Sequence, residues 1–130
     1  MGKYPDTATG SDNIPLMRYE EVILNYAEAL FELNNADPAA LTNLNLIATN
    51  RGATAYTIVT KDDILMERRK ELMFEGFRFD DMMRTGKDIT VLGSNQNVLE
   101  TLAYPNDKFA YPIDIDEMGA NSNMVQNAGY

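Results

Sequence analysis

The sequence predicts a mainly α fold of the α-α superhelix type: a helical hairpin, one long helix and a loop-rich C-terminal tail. Three observations predict it. Residues 15–34 and 38–50 both carry apolar side chains at helical spacing, joined by a short Asn-Asn-Ala-Asp turn. Residues 60–85 set charges on an apolar frame between helix start and stop signals. After Gly86 no apolar period is sustained, while Asn, Asp, Gly and Pro recur. The 130 residues therefore divide into an arm over 1–14 and one segment over 15–130.

The arm, MGKYPDTATGSDN, has linker composition, and Met1-Gly2 is expected to be a leader on an internal cut. Pro15 sits near the first turn of the first helix, where its missing N–H costs nothing. Tyr19, Ile23, Tyr26, Ala27 and Leu30 form its stripe; Val22, Ala29 and Leu33 widen it, which predicts cover on more than one side. Asp37 is placed to cap the second helix with Pro38 at its first position. Leu41, Leu44, Ile47 and Ala48 form its face, and Gly52 ends it. The short connection makes 15–52 an antiparallel hairpin, which resembles a single tetratricopeptide unit. About three such units are normally needed for a stable stack.

The long helix, 60–85, opens with Thr60 and Asp63 in a capping-box-like pair. Asp62 and Asp63 suit the positive end of the helix dipole, and Arg84 its negative end, before the stop at Gly86. Leu65, Leu72, Phe79 and Met83 share a stripe with Gly76. A mid-helix glycine costs roughly 1 kcal/mol against alanine, so a kink or a close backbone neighbour is expected there. Glu71 is in helical reach of Arg68, Glu75 of Arg78, and Asp80 of Arg84. With Arg69 and Asp81 these residues are expected to form a partly buried structural network. The tail, 87–130, reads as irregular. Ile89–Leu92 is a short strand or a loop, 97–103 a weak helical turn, 109–113 extended, and 116–118 one helical turn. Met124, Val125 and Tyr130 are expected to pin its end.

Composition excludes several functions. With 20 acidic and 11 basic residues the net charge is −9, unfavourable for nucleic acid or anionic membrane surfaces. There is no cysteine and no histidine, so thiolate chemistry, histidine general bases and most zinc sites are out. No apolar run reaches the roughly 20 residues of a membrane-spanning helix. Oxygen ligands remain for a metal, but Asp62-Asp63 and Asp114, Asp116 and Glu117 lack the glycine step of a calcium loop. No metal and no cofactor is expected.

Two carboxylate pairs, Glu71/Glu75 and Asp80/Asp81, have the spacing of a glycoside-hydrolysing pair. Each has an arginine in reach, which lowers carboxylate pKa values instead of raising one for acid catalysis. Structural salt bridges are the favoured reading and no catalytic residue is assigned. Aromatic residues on helices are expected in the core. Tyr104 and Tyr111, in loops, are the ligand-binding candidates.

Three blocks in order carry a resemblance. The first is Arg18-Tyr19-x-Glu21-Val22-x-Leu24-x-Tyr26-Ala27-Glu28-Ala29. The second is Glu67-Arg68-Arg69-x-Glu71-Leu72-x-Phe74-Glu75-Gly76-x-Arg78, then Asp80-Asp81 and Arg84. The third is Tyr111-Pro112-Ile113, Glu117, Asn121 and Val125-Gln126-Asn127-Ala128-Gly129-Tyr130. Together they resemble the C-terminal region of the SusD/RagB family of outer-membrane nutrient-binding lipoproteins, with Tyr130 expected to be the natural C-terminus. The sequence departs from the family where an arginine is usual at Ala48, an Ala-Gly pair at Arg51-Gly52 and a proline at Asp114.

The resemblance implies non-enzymatic capture of a glycan or other nutrient at the surface of the outer membrane of Bacteroidetes-type bacteria. It implies delivery to a SusC-like TonB-dependent transporter, and a lipid anchor carried by a cysteine absent here. This chain would be the scaffold-forming C-terminal part of a longer, SusD-like helical protein. The alternatives are a free-standing tetratricopeptide-type interaction module, disfavoured by the single hairpin, and a carbohydrate hydrolase, disfavoured by the arginine-paired carboxylates.

Overall fold

The structure, a computed structural model, describes residues 3–130; Met1-Gly2 lie outside the described residues. In chain order it has α1 (Tyr19–Leu33), α2 (Pro38–Asn50), α3 (Lys61–Glu71), α4 (Phe77–Arg84), β1 (Ile89–Leu92), β2 (Val98–Leu102), a 3-10 turn (Asp107–Phe109) and α5 (Ile115–Ala120). The chain divides into two compact units, Met1–Arg78 and Phe79–Tyr130.

In the first unit α1 and α2 form the expected hairpin, and α3 packs on both. The second helix starts as read: the Asp37 carboxylate accepts from the Ala39 amide at 2.8 Å, with Pro38 in the first turn. Beyond the other end of α2, Gly52 takes φ +74. The first helix begins four residues later than Pro15, because Arg18 is still extended (φ −129, ψ 153). Leu24, Leu44 and Ile64 are fully buried with Ile23 and Ile47 around them, and Phe31, Tyr56 and Val59 close the cluster. The stripe on α1 is shifted from the expected one. Ile23, Leu24, Ala27 and Glu28 face inward, whereas Tyr19 and Tyr26 are 75% and 54% exposed. Asn45 clamps the segment between α2 and α3, exchanging two hydrogen bonds with the Tyr56 backbone at 2.7 and 3.0 Å.

The capping box at Thr60 and Asp63 is present. The single long helix is not: α3 ends at Glu71 and α4 starts at Phe77. Between them Phe74 and Gly76 take φ +67 and +88. A left-handed phenylalanine costs roughly 1–2 kcal/mol. The offset lies in where the carbonyls freed at the end of α3 find donors. The Glu71 carbonyl accepts from Lys3 Nζ and, at 2.9 Å, from Arg18 Nη2. The Phe74 carbonyl accepts from the Tyr4 hydroxyl at 3.3 Å. The arm of residues 3–14 therefore terminates the helix, tucking its donors under the last turn of α3.

The tail is more ordered than its composition suggests. β1 and β2 pair antiparallel, with Ile89 opposite Leu102 and an irregularity between Val91 and Leu92. Residues 97–103 therefore hold a strand where a helical turn is expected. A partner strand one turn away satisfies their backbone, and the Gly93 amide closes that turn on the Asn97 carbonyl at 2.9 Å. Asp114 caps α5 through the Asp116 amide. The chain end is pinned by amides more than by apolar side chains. The Gln126 side chain bonds both Ile113 N and O, at 2.8 and 2.9 Å, while Val125 is 80% exposed. Tyr130 does contribute, donating its hydroxyl to the Lys108 carbonyl at 3.2 Å.

Gly76 has open space where a Cβ would sit, so its φ of +88 is what requires glycine. Gly76→Ala is expected to cost about 1–2 kcal/mol, measured as a lower midpoint in urea unfolding. Gly119→Ala, helical and equally uncrowded, is expected not to destabilise.

Candidate functional site

Two side-chain constellations result. The first joins the arm, α1, α2 and the end of α3. Glu71, 8% exposed, accepts from Arg18 Nη1 at 2.9 Å and from Arg51 Nε and Nη2 at 2.8 Å each. Glu75 accepts from Arg18 Nε at 3.0 Å and from Lys3. Glu20 bridges the same two arginines, at 3.2 Å from Arg18 and 3.0 Å from Arg51. Nearby on α3, buried Glu67 accepts from the Tyr56 hydroxyl at 2.9 Å and from Lys70 at 3.2 Å, and buried Arg68 donates to Asn25. Lys61 bridges from α3 to Glu28 and Glu32 of α1.

This changes the expected network. Glu71 and Glu75 bond across the fold to Arg18, Arg51 and Lys3, through hydrogen bonds that span 20 to 72 residues. The helix break leaves Glu75 and Arg78 on different elements, and Arg68, on the same helix as Glu71, donates to Asn25 instead. Arg69 is exposed and has no ion pair among the described residues. In the second unit the ion pair to Arg84 comes from Asp81, at 2.7 Å, and not from exposed Asp80; Asp81 is only 5% exposed. Arg18 and Arg51 are the members that helical spacing could not reveal.

The electrostatics follow from the contacts. Hydrogen bonds from Arg51, then Arg18, outweigh burial and hold the Glu71 carboxyl down to about 2. Burial pushes Glu75 up, and the bonds from Arg18 and Lys3 overcome it, leaving the carboxyl below its usual range. A pair kept ionised in this way has no proton to give a leaving group, so the geometry fits an anchor and not an acid catalyst.

The second constellation is a cleft of about 340 Å³ in the second unit. Met83, Tyr104, Pro105 and Phe109 supply apolar wall, and Asn106, Asp107 and Asn127 supply polar atoms. The Tyr104 ring stacks on Phe109 with centroids 6.0 Å apart and sits against Gly86, yet remains 46% exposed. Asn106 caps the 3-10 turn through the Lys108 amide, and Asn127 donates to the Tyr111 carbonyl. Tyr111 is not among the lining residues; its ring lies 5.6 Å from that of Phe79 and is 75% exposed. Of the two expected ligand-binding tyrosines, Tyr104 alone lines the cleft. Phe109, read as part of an extended segment, forms its buried wall.

A helical hairpin locked to a following broken helix by long-range ion pairs defines a scaffold type, and comparison gives it a family. The SusD family model matches residues 2–130, and the chain belongs to that family. It is 31% identical over 134 residues to the starch-binding protein SusD of Bacteroides thetaiotaomicron, covering 98% of this chain and 22% of SusD. Surface glycan-binding protein A from Bacteroides uniformis superposes with a TM-score of 0.74 at 31% identity, covering 90% of this chain and 28% of that one. Surface glycan-binding protein A from Bacteroides thetaiotaomicron, solved in complex with laminarihexaose, gives 0.66 at 32% identity, covering 89% and 25%. The chain spans about a quarter of the length of the curated relatives it matches.

Arg18 grips both carboxylates and a helix-end carbonyl, whereas Arg51 reaches Glu71 and Glu20 from a half-exposed position. Removing one partner of a buried pair costs about 3–5 kcal/mol. Arg18→Met is therefore expected to destabilise more than Arg51→Met, as read by chemical denaturation of the two variants side by side.

The pH dependence follows in sign. With a folded pKa of about 2 against an ordinary value of 4.5, Glu71 contributes stability that is complete above the unfolded value and lost as pH falls toward the folded one. That shift amounts to roughly 3 kcal/mol. Melting temperature is expected to fall steeply between pH 4.5 and 2, and Glu71→Gln to flatten the fall. An equally steep profile in the variant counts against this assignment.

Proposed function

We propose that this chain is the C-terminal scaffold part of a non-enzymatic protein that captures glycan at the cell surface. The family membership over residues 2–130 carries the reading, with a glycan-bound structural neighbour in support. The finer expectations belong to the same proposal: an outer-membrane lipoprotein that passes ligand to a SusC-like TonB-dependent transporter. Their support is the resemblance of the three sequence blocks. The ion pairs around Glu71 give this segment its task, which is to hold the hairpin, the arm and α3 in one rigid piece. The exposed apolar side chains of the hairpin, Tyr19, Leu33 and Leu46 among them, and Leu16 just ahead of it, suit burial against the rest of a longer protein. A free-standing interaction module has less support, since the described residues hold one helical hairpin.

Affinity electrophoresis through gels cast with laminarin or starch tests the reading. The chain is expected to be retarded by a neutral glycan. Glu75→Ala is expected to melt several degrees lower and, below its melting range, to show the same retardation. Loss of retardation with an unchanged melt would make the network a binding surface and overturn the scaffold role.

A further inference from the structure

The cleft around Tyr104 has no structural task that accounts for all of its polar atoms. Among the described residues the Asp107 carboxylate, the Tyr104 hydroxyl, the Asn106 amide nitrogen and the Asn127 side-chain oxygen have no protein partner. Each belongs to a residue lining one cavity, beside the apolar wall of Phe109, Pro105 and Met83. That combination is two acceptors, a donor and a hydroxyl against an apolar surface. It matches a pyranose ring, whose C–H face packs on apolar carbon while its rim hydroxyls each offer a donor and an acceptor. The volume of about 340 Å³ is at the small end of ligand pockets, which run roughly 300–1,000 Å³. It suits one sugar unit and not an oligosaccharide.

Charge narrows the ligand further. Among the described residues no lysine or arginine lines the cleft, and its one acidic side chain is Asp107. The neighbouring cation, Lys108, is directed to Glu100 at 3.3 Å. A uronate or sulfated sugar would bring a second negative charge to an uncompensated carboxylate, in a chain of net charge −9. We infer that the Tyr104–Asp107 cleft is a subsite for one neutral pyranose unit of a glycan and rejects anionic ones. This rests on the glycan-capture reading and adds to it a location and a selectivity.

The test is titration of the isotope-labelled chain, followed by amide chemical shifts, with laminarihexaose and with maltohexaose as neutral probes. An oligomannuronate of equal length is the anionic probe. The expected result is saturable shifts centred on Tyr104, Asp107, Phe109 and Asn127 with at least one neutral probe, and none with the mannuronate. Asp107→Ala and Asn127→Ala are each expected to weaken binding about tenfold or more. Leu99→Ala, on an exposed strand residue, is expected to leave it unchanged. Because Tyr104 also packs on Phe109 and Gly86, Tyr104→Ala is interpreted only if its spectrum stays folded, and the other two variants decide the matter without it. Saturable shifts elsewhere on the chain would overturn the subsite while leaving glycan capture standing. Equal binding of the mannuronate would overturn the selectivity. No shift with either neutral probe would overturn the subsite. If electrophoretic retardation is missing as well, glycan capture by this chain falls with it.

Discussion

The structure depends on how Glu71 is held. This carboxylate lies at the end of α3, nearly buried, and accepts from Arg18 ahead of α1 and from Arg51 at the end of α2. Its backbone carbonyl takes a further bond from Arg18 and one from Lys3 of the arm. One residue thus gathers four separated pieces of chain at one point. An apolar contact could not do this, because it has no preferred direction. A planar guanidinium fork meeting a carboxylate fixes both distance and orientation. The apolar core of Leu24, Leu44 and Ile64 sets how much surface is buried, and the Glu71 cluster sets the angle at which the pieces meet.

The same cluster explains the broken helix. Local propensity over 60–85 favours continuation, with capping signals at the two ends and a charged, leucine- and methionine-rich middle. A continuous helix would bond the Glu71 carbonyl to the amide of residue 75. In the structure that amide goes to the Leu72 carbonyl at 3.1 Å, and the Glu71 carbonyl is left to Arg18 and Lys3. The break is therefore a competition between one intrahelical bond and two charge-assisted ones. Gly76 lowers the cost of turning back into α4, and Phe74 carries the remaining strain.

How much of this was legible follows from the range of each interaction. The hairpin was legible because its signals are local: Asp37-Pro38 starts a helix and Gly52 ends one whatever surrounds them. The mid-helix glycine announced a kink at the right place. The partners of Glu71 and Glu75 were not legible, because Arg68 and Arg78 stand at helical spacing while Arg18, Arg51 and Lys3 become neighbours only after the chain has folded. Likewise β2 carries no strong strand pattern of its own and becomes a strand by pairing with β1. Of the candidate site, Tyr104 could be read from its loop setting. Asn127 could not, since it meets Tyr104 and Asp107 only through the return of the chain end.

The two departures from the family pattern on α2 find a physical place here. Ala48 is fully buried, where an arginine would need a partner to remain charged. Arg51, one turn later, is half-exposed and reaches Glu71 with its guanidinium. At this half-exposed position the guanidinium loses less hydration than it would at Ala48, and its hydrogen bonds to Glu71 are the first cause that raises the Arg51 pKa above its usual value. The fold thus brings one positive group to Glu71 from the end of the second helix, and the burial of Ala48 leaves Arg51 as the residue that supplies it.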